Sequence, residues 1–421
     1  MNTCSRHALI RLSLLVVTLA IAPSGVACAQ SAALVAASDA AIEFSRSNNA
    51  LAFDLYAKAR VQPGNLALSP ISISTALTMT WAGARGDTAA EMQRVLHLNE
   101  DGEAPLHAAA ALLADLRQKE GGATLHIVNR LFGAESFEFD TRYLDQTKTF
   151  FGAALEPLNF GDADRSRRHI NDWVAKETAE RIQNLIPVGA LRPETRLVLV
   201  NAIYFLGQWT HPFTAESTVP IPFRAIAGEA HAVPTMQQVE DLPFAQTDGA
   251  KLLELAYRGS DVSMLLVLPD AADGLEAVER RLSPTVLEHW LGAIGTQRVF
   301  VALPKFEINP AQSLALSDTL SALGMPLAFD SDHADFSGIS DPSNHDGRLY
   351  ISEVFHKAFV KLDELGTEAA AATAVVAVET SAAPPSGPPP ELFRADHPFL
   401  FVLRHVPTGA ILFIGRVNDP L

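Results

Sequence analysis

The sequence predicts an α+β fold in one large domain, and three observations lead there. Helical spacing of apolar residues is concentrated in the first half of the 421 residues, strand-like runs dominate the second half, and no shift in composition divides the chain. With 48% hydrophobic and 19% charged residues the chain can build a sizeable core, which argues against global disorder.

Arg6 and Arg11 precede the apolar run LSLLVVTLAIA, and Ala27-Cys28-Ala29 follows, with Gln30 next. That order predicts a signal peptide over 1–29, cut after Ala29. The run is too short for a comfortable transmembrane helix. Lipidation at Cys28 is the alternative, disfavoured because Gly25 stands where such a signal prefers Leu. Both cysteines, Cys4 and Cys28, lie in this segment, so the processed chain would carry no disulfide and no thiol chemistry. The expected location is secreted or periplasmic.

Residues 30–44, rich in Ala and Ser, read as a flexible lead-in. Ile42, Phe44, Leu51, Phe53 and Leu55 set a helix over 42–60. A second helix falls within 65–91, opened by Ser69-Pro70, an N-cap and first-turn pair. Residues 104–119 are helical in pattern, TLHIVNRLF at 124–132 alternates as a strand, and 166–186 returns to helical spacing. TRLVLVNAIYFLGQW at 195–209 is almost continuously apolar, a strand covered on both faces. KLLELAY, SMLLVLP, RVFVALPKFEI, AFVKLDEL, PFLFVLRH and AILFIGRV read as further strands.

Charge and motifs narrow the function. A formal net charge of −16 disfavours nucleic acid and anionic membrane as partners. Arg165, Arg167 and Arg168 are a local exception that reads as a solvated helix start. There is no H-E-x-x-H, G-x-S-x-G, G-x-x-x-x-G-K-[ST] or G-x-G-x-x-G. His333 and His345 lie near Asp332, Asp335, Asp341 and Asp346, a pattern of a solvated acidic loop more than of a metal site. Glu240-Asp241 and Asp363-Glu364 are the adjacent carboxylates one would test for acid–base work, and both read as surface pairs. No enzyme activity, cofactor or metal is expected.

One stretch demands a different account. Residues 364–383, ELGTEAAAATAVVAVETSAA, are uncharged for ten residues and rich in Ala, Thr and Val, and PPSGPPP follows. EAAAA alone favours helix, whereas TAVVAV disfavours a stable one. The stretch reads as a strand without large side chains to pack.

The chain resembles the serpin family of serine protease inhibitors over about 45–421. The resemblance rests on NLALSPISISTALTMTWAGARGDTAAEM (65–92), NAIYFLGQW (201–209), LPKFEI (303–308), HKAFVKLDELGTEAAAAT (356–373), ADHPFLFVLRH (395–405) and GAILFIGRV (409–417), in the family's order. It implies three β-sheets, about nine helices and an exposed reactive-centre loop, here about 364–392. It also implies a suicide mechanism. A target protease forms an acyl-enzyme on the loop, and the cleaved loop inserts into the central sheet and traps it. A monomer that meets its target protease in a covalent complex is expected, with a non-inhibitory binding or chaperone protein as the alternative.

Small side chains suit insertion, because a strand sliding between two others must not force repacking. The hinge is Gly366, Thr367, Glu368, Ala369, Ala370, Ala371, Ala372 and Thr373. Thr367, Ala369, Ala371, Thr373, Val375 and Ala377 would share one face, uncharged throughout. Non-inhibitory relatives usually break this hinge with Pro or charge, and this chain does not. From Gly366 to Thr380 a strand would span about 50 Å.

By resemblance the scissile bond is Thr380–Ser381, or Glu379–Thr380 if the loop is one residue shorter. No Lys, Arg or aromatic residue lies between Gly366 and Phe393, which disfavours trypsin- and chymotrypsin-like pockets. An elastase- or subtilisin-like enzyme is expected, with Glu379 leaving room for a Glu-selective one. Also by resemblance, Ser69, Ser72, Asn201 and His356 form a hydrogen-bonded shutter beneath the sheet. Trp209, Lys305 and Glu364 would mark the breach where the hinge enters.

Overall fold

A computed structural model describes residues 25–117, 123–152, 155–226, 229–259, 261–344, 348–367 and 388–421, with side chains from Asp39 onward. The helices are α1 (Gly25–Ala59), α2 (Pro70–Trp81), α3 (Gly86–Val95), α4 (Ala104–Arg117), α5 (Thr141–Phe151), α6 (Ala163–Glu177), α7 (Leu275–Glu279), α8 (Pro284–Ala293) and α9 (Ser317–Leu323). The strands are β1 (Leu66–Leu68), β2 (Thr124–Ala134), β3 (Glu156–Leu158), β4 (Leu197–Gln208), β5 (Val219–Phe223), β6 (His231–Thr247), β7 (Ala250–Ala256) and β8 (Val262–Pro269). They continue with β9 (Gly295–Pro304), β10 (Phe306–Ile308), β11 (Leu314–Ala315), β12 (Ile351–Leu362), β13 (Gly366–Thr367), β14 (Glu391–Arg394), β15 (Phe399–His405) and β16 (Ile411–Val417).

Two hydrogen-bonded arrays result. One runs β10-β12-β13-β4-β2-β3, with β11 also on β12; the other runs β1-β16-β15-β8-β7-β6-β9-β14, with β5 on β6. The second array joins two sheet halves, because β6 is 17 residues long. Its first residues pair β5, its last residues pair β7, and β9 spans most of it. The α+β architecture expected from the sequence is present, and nine α-helices lie among the described residues.

Several boundaries differ for physical reasons. α1 begins at Gly25, upstream of the predicted helix and across the segment read as a flexible lead-in, as its Ala-rich composition permits. The helix expected over 65–91 is two. The chain leaves α2 past Gly83, where a Cβ would meet Ile339 at 2.1 Å, and re-enters a helix at Gly86, whose φ is +53°. The helix expected to reach 186 stops at Glu177. Thr178 N and Oγ1 both donate to Val174 O, and Asn171 holds the returning chain by accepting from Ile186 N and donating to Ile186 O at 2.8 and 2.9 Å.

α2 is buried on every side, from Pro70 to Trp81. It packs against β2, β4 and β16 and so lies between the two arrays. In the first array β12 and β4 pair in parallel from Ile351↔Leu197 to Phe359↔Tyr204, which leaves a seam between them backed by α2.

Candidate functional site

The upper end of this seam is already occupied. Asp363 N and Gly366 N bond reciprocally with Gly366 O and Asp363 O at 2.9 and 3.3 Å, and Leu365 N donates to Asp363 Oδ1 at 2.9 Å. This tight turn sends Gly366–Thr367 back between β12 and β4. Thr367 faces Leu362 on one side and Gly207 on the other, and Gly366 faces Gln208. Gly366 has φ +155°, and a Cβ there would lie 1.9 Å from Gly207 O, so the backbone approach requires glycine. Thr367 is 1% exposed.

Trp209, Lys305 and Glu364, expected to mark the breach, meet at this turn. Trp209 grips it twice: its backbone N donates to Leu365 O at 2.8 Å, and Nε1 donates to Asp363 O at 3.1 Å. Its ring stacks on Tyr257 at 4.3 Å, and the Tyr257 hydroxyl is hydrogen-bonded to Thr367 Oγ1. Burial raises the Tyr257 pKa, so the phenol stays neutral. Lys305 Nζ donates to both carboxylate oxygens of Glu364 at 2.8 and 3.1 Å, and Thr218 Oγ1 donates to Oε1 at 2.8 Å. Partial burial opposes ionisation of Glu364, but the bonds from Lys305, its own backbone and Thr218 outweigh it and hold the carboxyl below its ordinary pKa. Asp363-Glu364 is therefore more than the surface pair its sequence suggests, because both carboxylates fix the turn. Sequence reasoning missed Tyr257, whose only signal was an aromatic residue closing the run KLLELAY.

Ser69, Ser72, Asn201 and His356, expected to form the shutter, lie together further down the seam. Ser69 N donates to His356 Nε2 at 3.1 Å and Ser69 Oγ to Leu412 O at 2.7 Å. Ser69 thus stands at the N-cap of α2, but its hydroxyl does not cap. Ser72 Oγ donates to Asn129 Oδ1 at 2.7 Å and lies 3.1 Å from Asn201 Oδ1. Asn129 Nδ2 donates back to Ser72 O at 3.1 Å, and Asn129 pairs with Asn201 across β2 and β4. Asn129 was also missed; an amide in the middle of TLHIVNRLF was its signal. His356 and Asn201 are direct neighbours across the seam. Two buried donors there, Asn201 Nδ2 and His356 Nδ1, have no partner among the described residues.

The imidazole is neutral, since Nε2 accepts from Ser69. Burial lowers its pKa to about 3. An unfolded His protonates near 6.5, so between pH 6.5 and 3 the unfolded state binds the extra proton. Stability should therefore fall as pH drops below about 6.5, by up to about 1.4 kcal/mol per pH unit from this group. His405, also lowered by burial, adds to the slope. Urea midpoints measured from about pH 7 down to about 4.5 should show a shallower decline in His356→Gln than in the parent; parallel curves would remove His356 from the pH response.

The remaining candidates separate from this site. Glu368, Ala369, Ala370, Ala371, Ala372 and Thr373, and Glu379, Thr380 and Ser381, lie outside the described residues, as do His345 and Asp346. Arg167 and Arg168 both pair with Asp164. His333 pairs with Asp330 at 3.0 Å, and no group of three or more His, Cys, Asp or Glu among the described residues could hold a metal. No helix among them is long and apolar enough to cross a membrane.

Comparison with known proteins agrees with this geometry. Residues 46–420 match the family described as Serpin (serine protease inhibitor), and the chain belongs to that family. The family is described by protease inhibition, not by catalysis. The leukocyte elastase inhibitor of Xenopus tropicalis is 40% identical over 379 residues, covering 87% of this chain and 97% of that one. Serpin48, a highly specific serpin of the insect Tenebrio molitor, superposes with a TM-score of 0.79 at 32% identity, covering 90% of this chain and 98% of that one. Human thyroxine-binding globulin reaches a TM-score of 0.81 at 29% identity, covering 90% and 99%.

Proposed function

We propose that this chain is an inhibitory serpin, a monomer that traps a serine protease by loop insertion. The observation that carries the reading is the position of Gly366–Thr367, paired with both β12 and β4 at the head of a parallel seam. Insertion needs the two strands to part by about one strand spacing, ~4.8 Å. The hinge pairing is where that parting would start, and the Asn201 and His356 donors, without a partner among the described residues, lie along its course. The small residues that follow Thr367 could then enter one after another.

The steps follow from ordinary acyl-transfer chemistry. The target's serine oxygen attacks the Thr380 carbonyl carbon, the bond to Ser381 N breaks, and the proton goes to the leaving amine. An ester now joins protease to loop. Insertion drags the protease and displaces its oxyanion hole before water can cleave the ester. The inhibitor contributes no catalytic group and is consumed once per event. A signal peptide over 1–29 and a secreted or periplasmic location belong to the same reading.

Thr, Ala, Val and Ser around the proposed bond suit a small-pocket protease. The leukocyte elastase inhibitor among the relatives supports that choice. Inhibition rates should be at least about tenfold faster for pancreatic elastase or subtilisin than for trypsin or chymotrypsin, in keeping with pocket discrimination. Mass spectrometry should find a released peptide beginning at Ser381. Faster inhibition of trypsin would overturn the target class, and a different peptide would move the bond. The resemblance to thyroxine-binding globulin keeps a second reading open, a serpin-fold binding protein that is merely cleaved.

A further inference from the structure

A cleft of about 420 Å³ opens at the C-terminal end of α2, between the starts of α4 and α5. That volume suits a small organic molecule. Its buried floor is formed by Trp81, Ala84, Leu106 and Tyr143. Trp81 and Tyr143 are nearly inaccessible, and their polar atoms are already engaged, Nε1 with Ala89 O at 3.1 Å and the hydroxyl with Met79 O at 3.0 Å. The two rings close the floor of the cleft and present little more than their edges.

Two exposed guanidinium groups line the same cleft, those of Arg85 and Arg142. Arg85 is held in place. One terminal nitrogen donates to Ala82 O and Ala84 O at 3.1 and 2.7 Å, and the group lies over Gly338, where a Cβ would come within 2.3 Å. Neither arginine forms an ion pair with a described residue. The two carboxylates in the lining are turned to other partners: Asp140 accepts from Tyr143 N at 3.1 Å, and Glu103 accepts from Gln146 Nε2 at 3.1 Å. In a chain of net charge −16, two guanidiniums at one cleft without a carboxylate partner among the described residues are conspicuous. Arginine binds carboxylate and sulfonate oxygens with paired, charge-assisted bonds.

We propose that this cleft binds a small organic anion, its acidic group held by Arg85 and Arg142 and its apolar body over the floor that Trp81 and Tyr143 close. The site is separate from the seam between β12 and β4 and uses none of its residues.

The probe is 8-anilinonaphthalene-1-sulfonate, titrated into the intact protein and followed by fluorescence. One probe should bind per chain. Arg142 is exposed and without a described partner, so Arg142→Glu should fold normally and weaken binding at least about tenfold, the loss expected for one charge-assisted bond. Gln146→Trp, which fills the cleft, should do the same. The uncharged N-phenyl-1-naphthylamine should bind at least about tenfold more weakly than the sulfonate. Absence of binding, or an affinity unmoved by Arg142→Glu, would overturn the proposal.

Discussion

Thr367→Arg should abolish trapping while leaving a folded protein that proteases still cleave. Thr367 is buried between β12 and β4, and its hydroxyl is bonded to Tyr257. An arginine there must either bury an unpaired charge, at several kcal/mol, or pull the hinge out of the sheet. The second is cheaper, because only two residues of β13 are paired. Insertion then starts from a hinge that cannot enter, and deacylation wins. The yield of covalent complex should fall at least about a hundredfold, since a penalty above roughly 2.7 kcal/mol on one of two competing steps shifts their ratio by that much. Thr367→Ser, which keeps the hydroxyl and the small volume, should retain most of the yield. An arginine variant that traps protease as well as the parent would show that the pairing of Thr367 is incidental.

Glu364→Lys should release the hinge without any protease. Glu364 accepts two bonds from Lys305 and one from Thr218 and sits in the turn that orders Gly366. The pair itself, with Lys305 partly exposed, adds little net stability. Its replacement by two ammonium groups is a different matter: it leaves Thr218 and Lys305 without their acceptor, at roughly 1–3 kcal/mol, and adds repulsion. The turn should loosen and the upper seam should open to a loop, its own or a neighbour's. On mild heating the variant should form polymers, resolved by native gel and size-exclusion chromatography, under conditions where the parent stays monomeric. Equal monomer content after heating would contradict this role for the ion pair.

These residues also show what can be read from sequence. Motif resemblance alone pairs Glu364 with Lys305, and their charged atoms lie 2.8 Å apart. It likewise groups Ser69, Ser72, Asn201 and His356, which meet at the seam. β4, β8, β15 and β16 are legible because burial on both faces writes continuous apolar runs. β5 and β6 are not, because Pro220, Pro222, Pro234 and Pro243 interrupt their pattern, and proline in a strand ordinarily argues against it. α5 escapes notice although Asp140 caps it by accepting from Tyr143 N, since its apolar residues are few. Tyr257 and Asn129 matter through partners 110 and 57 residues away, which no local pattern encodes.

Trapping requires the loop to zip into the seam faster than the acyl-enzyme is hydrolysed. The most direct test is to incubate the protein with pancreatic elastase and with subtilisin and examine the mixtures on denaturing gels, with Thr367→Arg alongside. A band at the summed mass of protease and inhibitor that survives denaturation, present for the parent and lost in the variant, is the predicted result. Complete cleavage with no such band for either enzyme, at any ratio, would contradict the account and leave a serpin fold that serves as a substrate or a binding protein.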